Sequence, residues 1–92
     1  MARLRLRPEV LWFAEHMERR LRVNDHKGGW HYCGTPRLMH RLFDEVCELH
    51  AATYSNDFTG MIQEAADAAN FAMMVADIAD EYARRAKREG AE

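Results

Sequence analysis

Four acids in this 92-residue chain have a spacing that suits chemistry: Glu45-x-x-Glu48 and Glu64-x-x-Asp67. Residues three apart on a helix share a face one turn apart, so each pair makes a short ladder of carboxylates. Asn70 adds a rung three residues beyond Asp67. At about 100° per residue, Glu45 falls roughly 20° from Leu38, at the edge of an apolar face formed by Leu38, Met39, Leu42, Val46 and Leu49. Glu48 lies on the same flank, about 80° from Leu38, and Asp44 points further away. Glu64 falls inside the cluster of Phe71, Val75, Ile78 and Tyr82, with Asp67 about 60° to one side. A carboxylate in a core is costly unless it is paired, protonated or bound to metal. Four that converge either raise one another's pKa or draw in divalent cations. Oxygen ligands of this kind suit Mg²⁺ or Mn²⁺, and Mg²⁺ commonly shares phosphate oxygens with a substrate.

One acid pair at i, i+3 is ordinary on a solvated helix. Two pairs on adjacent helices, each with a member on or beside an apolar face, are less easily read as solvated surface. The elements that must position them read as all-α. Pro8 suits a first helical turn, and Val10, Ala14, Met17 and Leu21 follow at helical spacing to about Val23. Asn24 to Gly34 breaks the pattern with Gly28, Gly29 and Gly34. Thr35-Pro36 reads as an N-cap followed by Pro at the first position of a second helix, to about Thr53. A short polar turn, Tyr54 to Asp57, leads to a third helix from about Phe58 towards Arg88, with Gly90 past its end. That helix is long enough either to break or to reach beyond its partners. Ala65, Ala69, Ala72 and Ala76 give it a small-residue flank that lets another helix approach closely. The expectation is one domain over residues 1–92, with a basic arm at 1–7 and a tail at 89–92. Its antiparallel bundle of three helices is completed by self-association, because so short a chain buries little surface alone.

Charge is segregated along the chain. Residues 1–43 carry nine Lys/Arg against four acids, whereas Asp44 to Tyr82 holds nine acids and no Lys or Arg. Such an acidic zone either spreads over solvent or meets cations, from the basic first half or from metal. A net charge of −2 gives no global basic field for nucleic acid. No apolar run approaches a membrane span or a secretory core. Cys33 and Cys47 lack metal-type spacing and are too few for a disulfide scaffold, so a cytoplasmic protein with reduced thiols is the simplest expectation. A carboxylate-bridged di-iron bundle is disfavoured, since no Glu here has His three residues later.

At the acid ladders the sequence resembles the MazG-like, all-α nucleoside triphosphate pyrophosphohydrolases. Their pattern is Glu-Glu-x-x-Glu on one helix and Glu-x-x-Asp on the next. Here it reads Asp44-Glu45-Val46-Cys47-Glu48 and Glu64-Ala65-Ala66-Asp67. The stretch from Glu64 to Met74 and the segment Asn24-Asp25-His26-Lys27-Gly28-Gly29-Trp30 resemble small stand-alone, phage-type members. The resemblance spans roughly Trp12 to Tyr82 and departs from the pattern at Asp44. It implies Mg²⁺-dependent hydrolysis of nucleoside triphosphates, deoxynucleotides in particular, to monophosphate and pyrophosphate, and the expected self-association would make a homodimer or homotetramer. Glu45, Glu48, Glu64 and Asp67 would take the metal positions, with Mn²⁺ a substitute, and Glu45 or Glu48 would serve as general base. The competing reading is a non-catalytic interaction module that keeps the acids as a remnant.

The long loop offers further candidates. Lys27, beside Gly28-Gly29, suits contact with phosphate oxygens and equally an exposed turn. Trp30 suits stacking on a nucleobase or packing beneath the loop. Asn70 suits either a contact to sugar or phosphate or a cap on the acid network. His16, His31, His40 and His50 have no metal-type pairing, Met61, Met73 and Met74 read as core, and Arg3, Arg5 and Arg7 as a solvated arm.

Overall fold

The structure is a computed structural model and describes residues 3–25 and 28–90. It consists of three helices: α1, Pro8–Val23; α2, Thr35–Tyr54; and α3, Phe58–Gly90. No strand occurs among the described residues. Helix α3 packs against both α2 and α1, the α2 contact being the larger.

Local chemistry explains most boundaries. Arg7 is extended, as the residue before a proline prefers, and Pro8 opens α1 where its missing N–H costs nothing. Glu9 in the first turn and Arg20 and Arg22 in the last complement the helix dipole. Asn24 closes α1, its side-chain amide donating to Arg20 O at 3.1 Å. The start of α2 differs from the expected Thr35 cap. Gly34 is the N-cap, because its carbonyl accepts the first helical bonds, from Arg37 N at 3.1 Å and Leu38 N at 3.2 Å. Thr35 and Pro36 are already helical.

The α2–α3 turn is tight. Ser55 turns its hydroxyl back to Ala51 O at 3.1 Å, and Asn56 takes a left-handed φ of 56°, which asparagine tolerates better than most residues. Asp57 then caps α3, accepting the Gly60 N–H at 3.0 Å. A side chain at Gly60 would collide with that carboxylate. Helix α3 is unbroken for 33 residues and continues through Gly90, so Glu89 and Gly90 of the expected tail are helical, and the rest of that tail lies outside the described residues. At 1.5 Å per residue it is about 50 Å long, against about 30 Å for α2. Glu81 to Gly90 are all exposed.

The core is thin. Leu38, Ala52, Ala66 and Ile78 are its buried apolar residues, and α1 contributes none. Of the expected apolar face of α2, Leu42 and Leu49 are half-buried, while Met39 and Val46 are exposed. Leu4, Leu6, Val10, Leu11 and Trp12 form an apolar stretch on the outside of the molecule, with Phe43 and Tyr54 exposed on α2. No described helix is long and apolar enough to cross a membrane.

Candidate functional site

Among the described residues the two buried polar side chains are Glu45 and Asn70, 7% and 4% exposed. Both arise from the α2–α3 contact, where the tight turn runs the two helices back alongside each other. Glu45 is buried on α2 with Leu38, as its angular position required. Opposite it on α3 stands half-buried Glu64, and Glu48 lies one turn along α2, exposed. One carboxylate oxygen from each of Glu45, Glu48 and Glu64 falls within 4.8 Å of the others. Both members of the acid pair on α2 and the first member of the pair on α3 are thus brought to one point.

The electrostatics follow from that proximity. Burial, then close contact with the carboxyls of Glu64 and Glu48, pushes Glu45 up to about 8. Glu64 is raised as well, again chiefly by burial. Facing carboxylates repel, and they bond only if one keeps its proton. Glu45 Oε2, Glu64 Oε2 and Asn70 Oδ1 are buried with no hydrogen-bond partner among the described residues. The donor set tests well against a divalent cation: hard oxygens, convergent, with unused lone pairs on two of them.

Asp67, the fourth carboxylate of the expected set, is engaged differently. It lines the same cavity but is not part of the three-glutamate group; both of its oxygens accept from Arg20, Nε and Nη2 each at 2.9 Å. These bonds push the pKa of the guanidinium higher still. One turn further along α3, Asn70 donates from Nδ2 to Met17 O at 3.0 Å, a second tie to α1. Arg20 was not legible as a site residue because it lies 47 positions away from Asp67, on another helix. Arg41 stands 3.6 Å from Glu45 and 3.4 Å from Asp44, its guanidinium 5.5 Å from the centre of the Phe71 ring.

A cavity of about 510 Å³ opens over these groups. Arg20, Arg37 and Arg41 share its wall with Glu45, Glu48, Glu64 and Asp67, and the described part of the long loop supplies Gly28, Gly29 and Trp30. The loop is fastened to α3 at one carboxylate oxygen: Trp30 Nε1 donates to Asp77 Oδ2 at 3.0 Å, and His31 Nε2 meets the same atom at 3.0 Å. The two rings stack, with centroids 5.4 Å apart. Trp30 therefore both packs the loop down and lines the cavity. Gly28 takes a φ of 87°, open to glycine and strained for other residues. Lys27 and His26 lie outside the described residues.

Acids at one wall and guanidinium groups beside them give the cavity both cation-attracting and anion-attracting groups. Compared with known proteins, the chain matches no family model, no curated protein and no solved structure.

Proposed function

We propose that the protein hydrolyses nucleoside triphosphates, deoxynucleotides in particular, to the monophosphate and pyrophosphate with Mg²⁺ as cofactor. The observation that carries this reading is the convergence of Glu45, Glu48 and Glu64, with two orphaned carboxylate oxygens, on the wall of a cavity also lined by arginines. The sequence resemblance to MazG-like enzymes points the same way.

In this reading Glu45, Glu48 and Glu64 hold the cation, for which Mn²⁺ would substitute. Bound there, a divalent cation supplies charge to the phosphates and acidifies a water. The chain's own residues do the rest. Glu45 or Glu48 accepts the proton of the attacking water through an oxygen not used as ligand. Arg37 and Arg41 face the anionic part of the substrate, Trp30 and Phe71 offer flat surfaces to a base, and burial of Glu45 keeps bulk water from its carboxyl.

The exposed apolar stretch on α1 and the thin core support a further element of the proposal, a homodimer or homotetramer that covers that surface. Light scattering at micromolar concentration tests it, and a mass of only 10.7 kDa would remove it.

Activity is tested by incubating the protein with each common and deoxy nucleoside triphosphate plus Mg²⁺ and resolving the products. Pyrophosphate and monophosphate are expected, and both should vanish in Glu48→Gln and Glu64→Gln while helicity persists. Release of inorganic phosphate with a nucleoside diphosphate would assign the cleavage to another bond. A wild-type protein that binds Mg²⁺ but hydrolyses nothing would favour the non-catalytic module.

A further inference from the structure

The Arg20–Asp67 pair is more than a link between helices. A guanidinium has five N–H donors in a rigid plane, and the fork on Asp67 uses one at Nε and one at Nη2. The remaining three belong to a side chain that is 32% exposed and lines the cavity beside the three glutamates. Asp67 in turn is only 15% exposed at its side chain, and each of its oxygens accepts one bond of the fork. The fork is braced. Asn70, 96% removed from solvent, sits three residues after Asp67 and bonds Met17, three residues before Arg20. The two ties, one turn apart, fix both the position and the rotation of the Arg20 guanidinium relative to α3. Arg41 is committed to Asp44, Glu45 and the Phe71 ring, and Arg37 is exposed. Arg20 is the arginine of this cavity that a two-bond fork on a carboxylate orients before any ligand arrives.

We propose that Arg20 is the anion anchor of the cavity, donating its free N–H groups to a phosphate oxygen of a di- or triphosphate, and that Asp67 is the positioning residue that aims it rather than a metal ligand. The proposal deepens the proposed function and rests on it for the chemical class of the ligand. A planar, charged donor already oriented loses little conformational freedom on binding, which is what a phosphate anchor requires.

Calorimetric titration with Mn²⁺ alone, then with inorganic pyrophosphate at saturating Mn²⁺, tests it on the full chain. Arg20→Gln should weaken pyrophosphate by about tenfold or more, the loss expected for charged hydrogen bonds, and leave Mn²⁺ affinity within about threefold. Asp67→Asn should do the same, because the anchor is no longer aimed, while the three glutamates still take Mn²⁺. Arg20→Lys, which keeps the charge without the fork, should fall between. Pyrophosphate affinity unchanged in Arg20→Gln would overturn the proposal, and so would loss of Mn²⁺ binding in Asp67→Asn. A purely structural pair would lower both affinities and the melting temperature together in Arg20→Gln and Arg20→Lys, which also overturns it. The outcome separates from that of the hydrolysis assay. Arg20-dependent pyrophosphate binding in a protein that cleaves no nucleotide sinks only the enzymatic reading. Active wild type with normal pyrophosphate binding in Arg20→Gln sinks only the anchor.

Discussion

Helices α1 and α2 both lie against α3, and they do so by different means. Every buried residue of the described structure lies on α2 or α3: Leu38, Ala52, Ala66 and Ile78, together with Glu45 and Asn70. Helix α1 buries none of its residues and turns Val10, Leu11 and Trp12 outward. Its inner side is tied by polar bonds, from Arg20 to Asp67 and from Asn70 to Met17. The apolar contact therefore carries the stability and houses ionisable groups it would be more stable without. The polar contact is cheap in stability and rich in orientation. A chain with so few buried positions that gives two of them to Glu45 and Asn70 is organised around that site.

The largest expected effect strikes the site itself. Glu64→Gln should lower pyrophosphate release by about a hundredfold or more, as loss of a metal ligand or of a residue near proton transfer does. Circular dichroism should show the helices intact, since the substitution relieves repulsion. The next effect separates the two contacts. Leu38→Ala should cost about 2–5 kcal/mol in denaturant unfolding, because it empties a buried position, whereas Leu11→Ala should stay within about 0.5 kcal/mol in the monomer. Equal losses would mean that Leu11 is covered in solution rather than turned outward. If α1 lies in a dimer interface, Leu11→Ala becomes costly and concentration-dependent instead.

Stability against pH probes the same contrast from inside. Glu45 keeps its proton in the folded chain up to about 8. The unfolded chain gives that proton up near the ordinary carboxylate value, about 4.3. Between those limits the folded state binds more protons than the unfolded one, so stability falls as pH rises through the window. Thermal melts of the metal-free protein should be higher at pH 5 than at pH 8. Saturating Mg²⁺ should raise the pH 8 melting temperature most, the stabilisation amounting to about 2.7 kcal/mol at a hundredfold excess over Kd. A metal-free melting temperature that climbs from pH 5 to pH 8 would place Glu45 in a more solvated setting than its burial indicates. The smallest effect lies at the turn, where Asp57→Ala should cost about 1 kcal/mol for the lost cap on Gly60.

The order and approximate limits of the helices were legible because hydrophobic period and Pro, Gly and Asn signals act locally. Glu45 and Glu64 were legible as acids facing the wrong way for the same reason: angle on a helix is arithmetic. What local rules cannot carry is the partner. Period marks Met39 and Val46 as apolar-side residues without saying whether this chain or another covers them, and in the monomer they are exposed. Arg20 reads as an ordinary last-turn cation of α1 until folding brings Asp67 to it. The Gly34 cap was missed because Thr35 is the better capping side chain, yet no side-chain cap bond forms and the glycine carbonyl opens the helix.

The three residues between α2 and α3 set a phase as well as a reversal. From Asp57 to Glu64 the chain runs in continuous helix, so one residue inserted there would swing Glu64 about 100° away from Glu45 and Glu48. Substitutions along this stretch leave the phase of the three glutamates intact; a single-codon insertion or deletion would part them. Tolerance to indels should therefore drop sharply between positions 49 and 63, and recover past Glu81, where the helix stands clear of everything else.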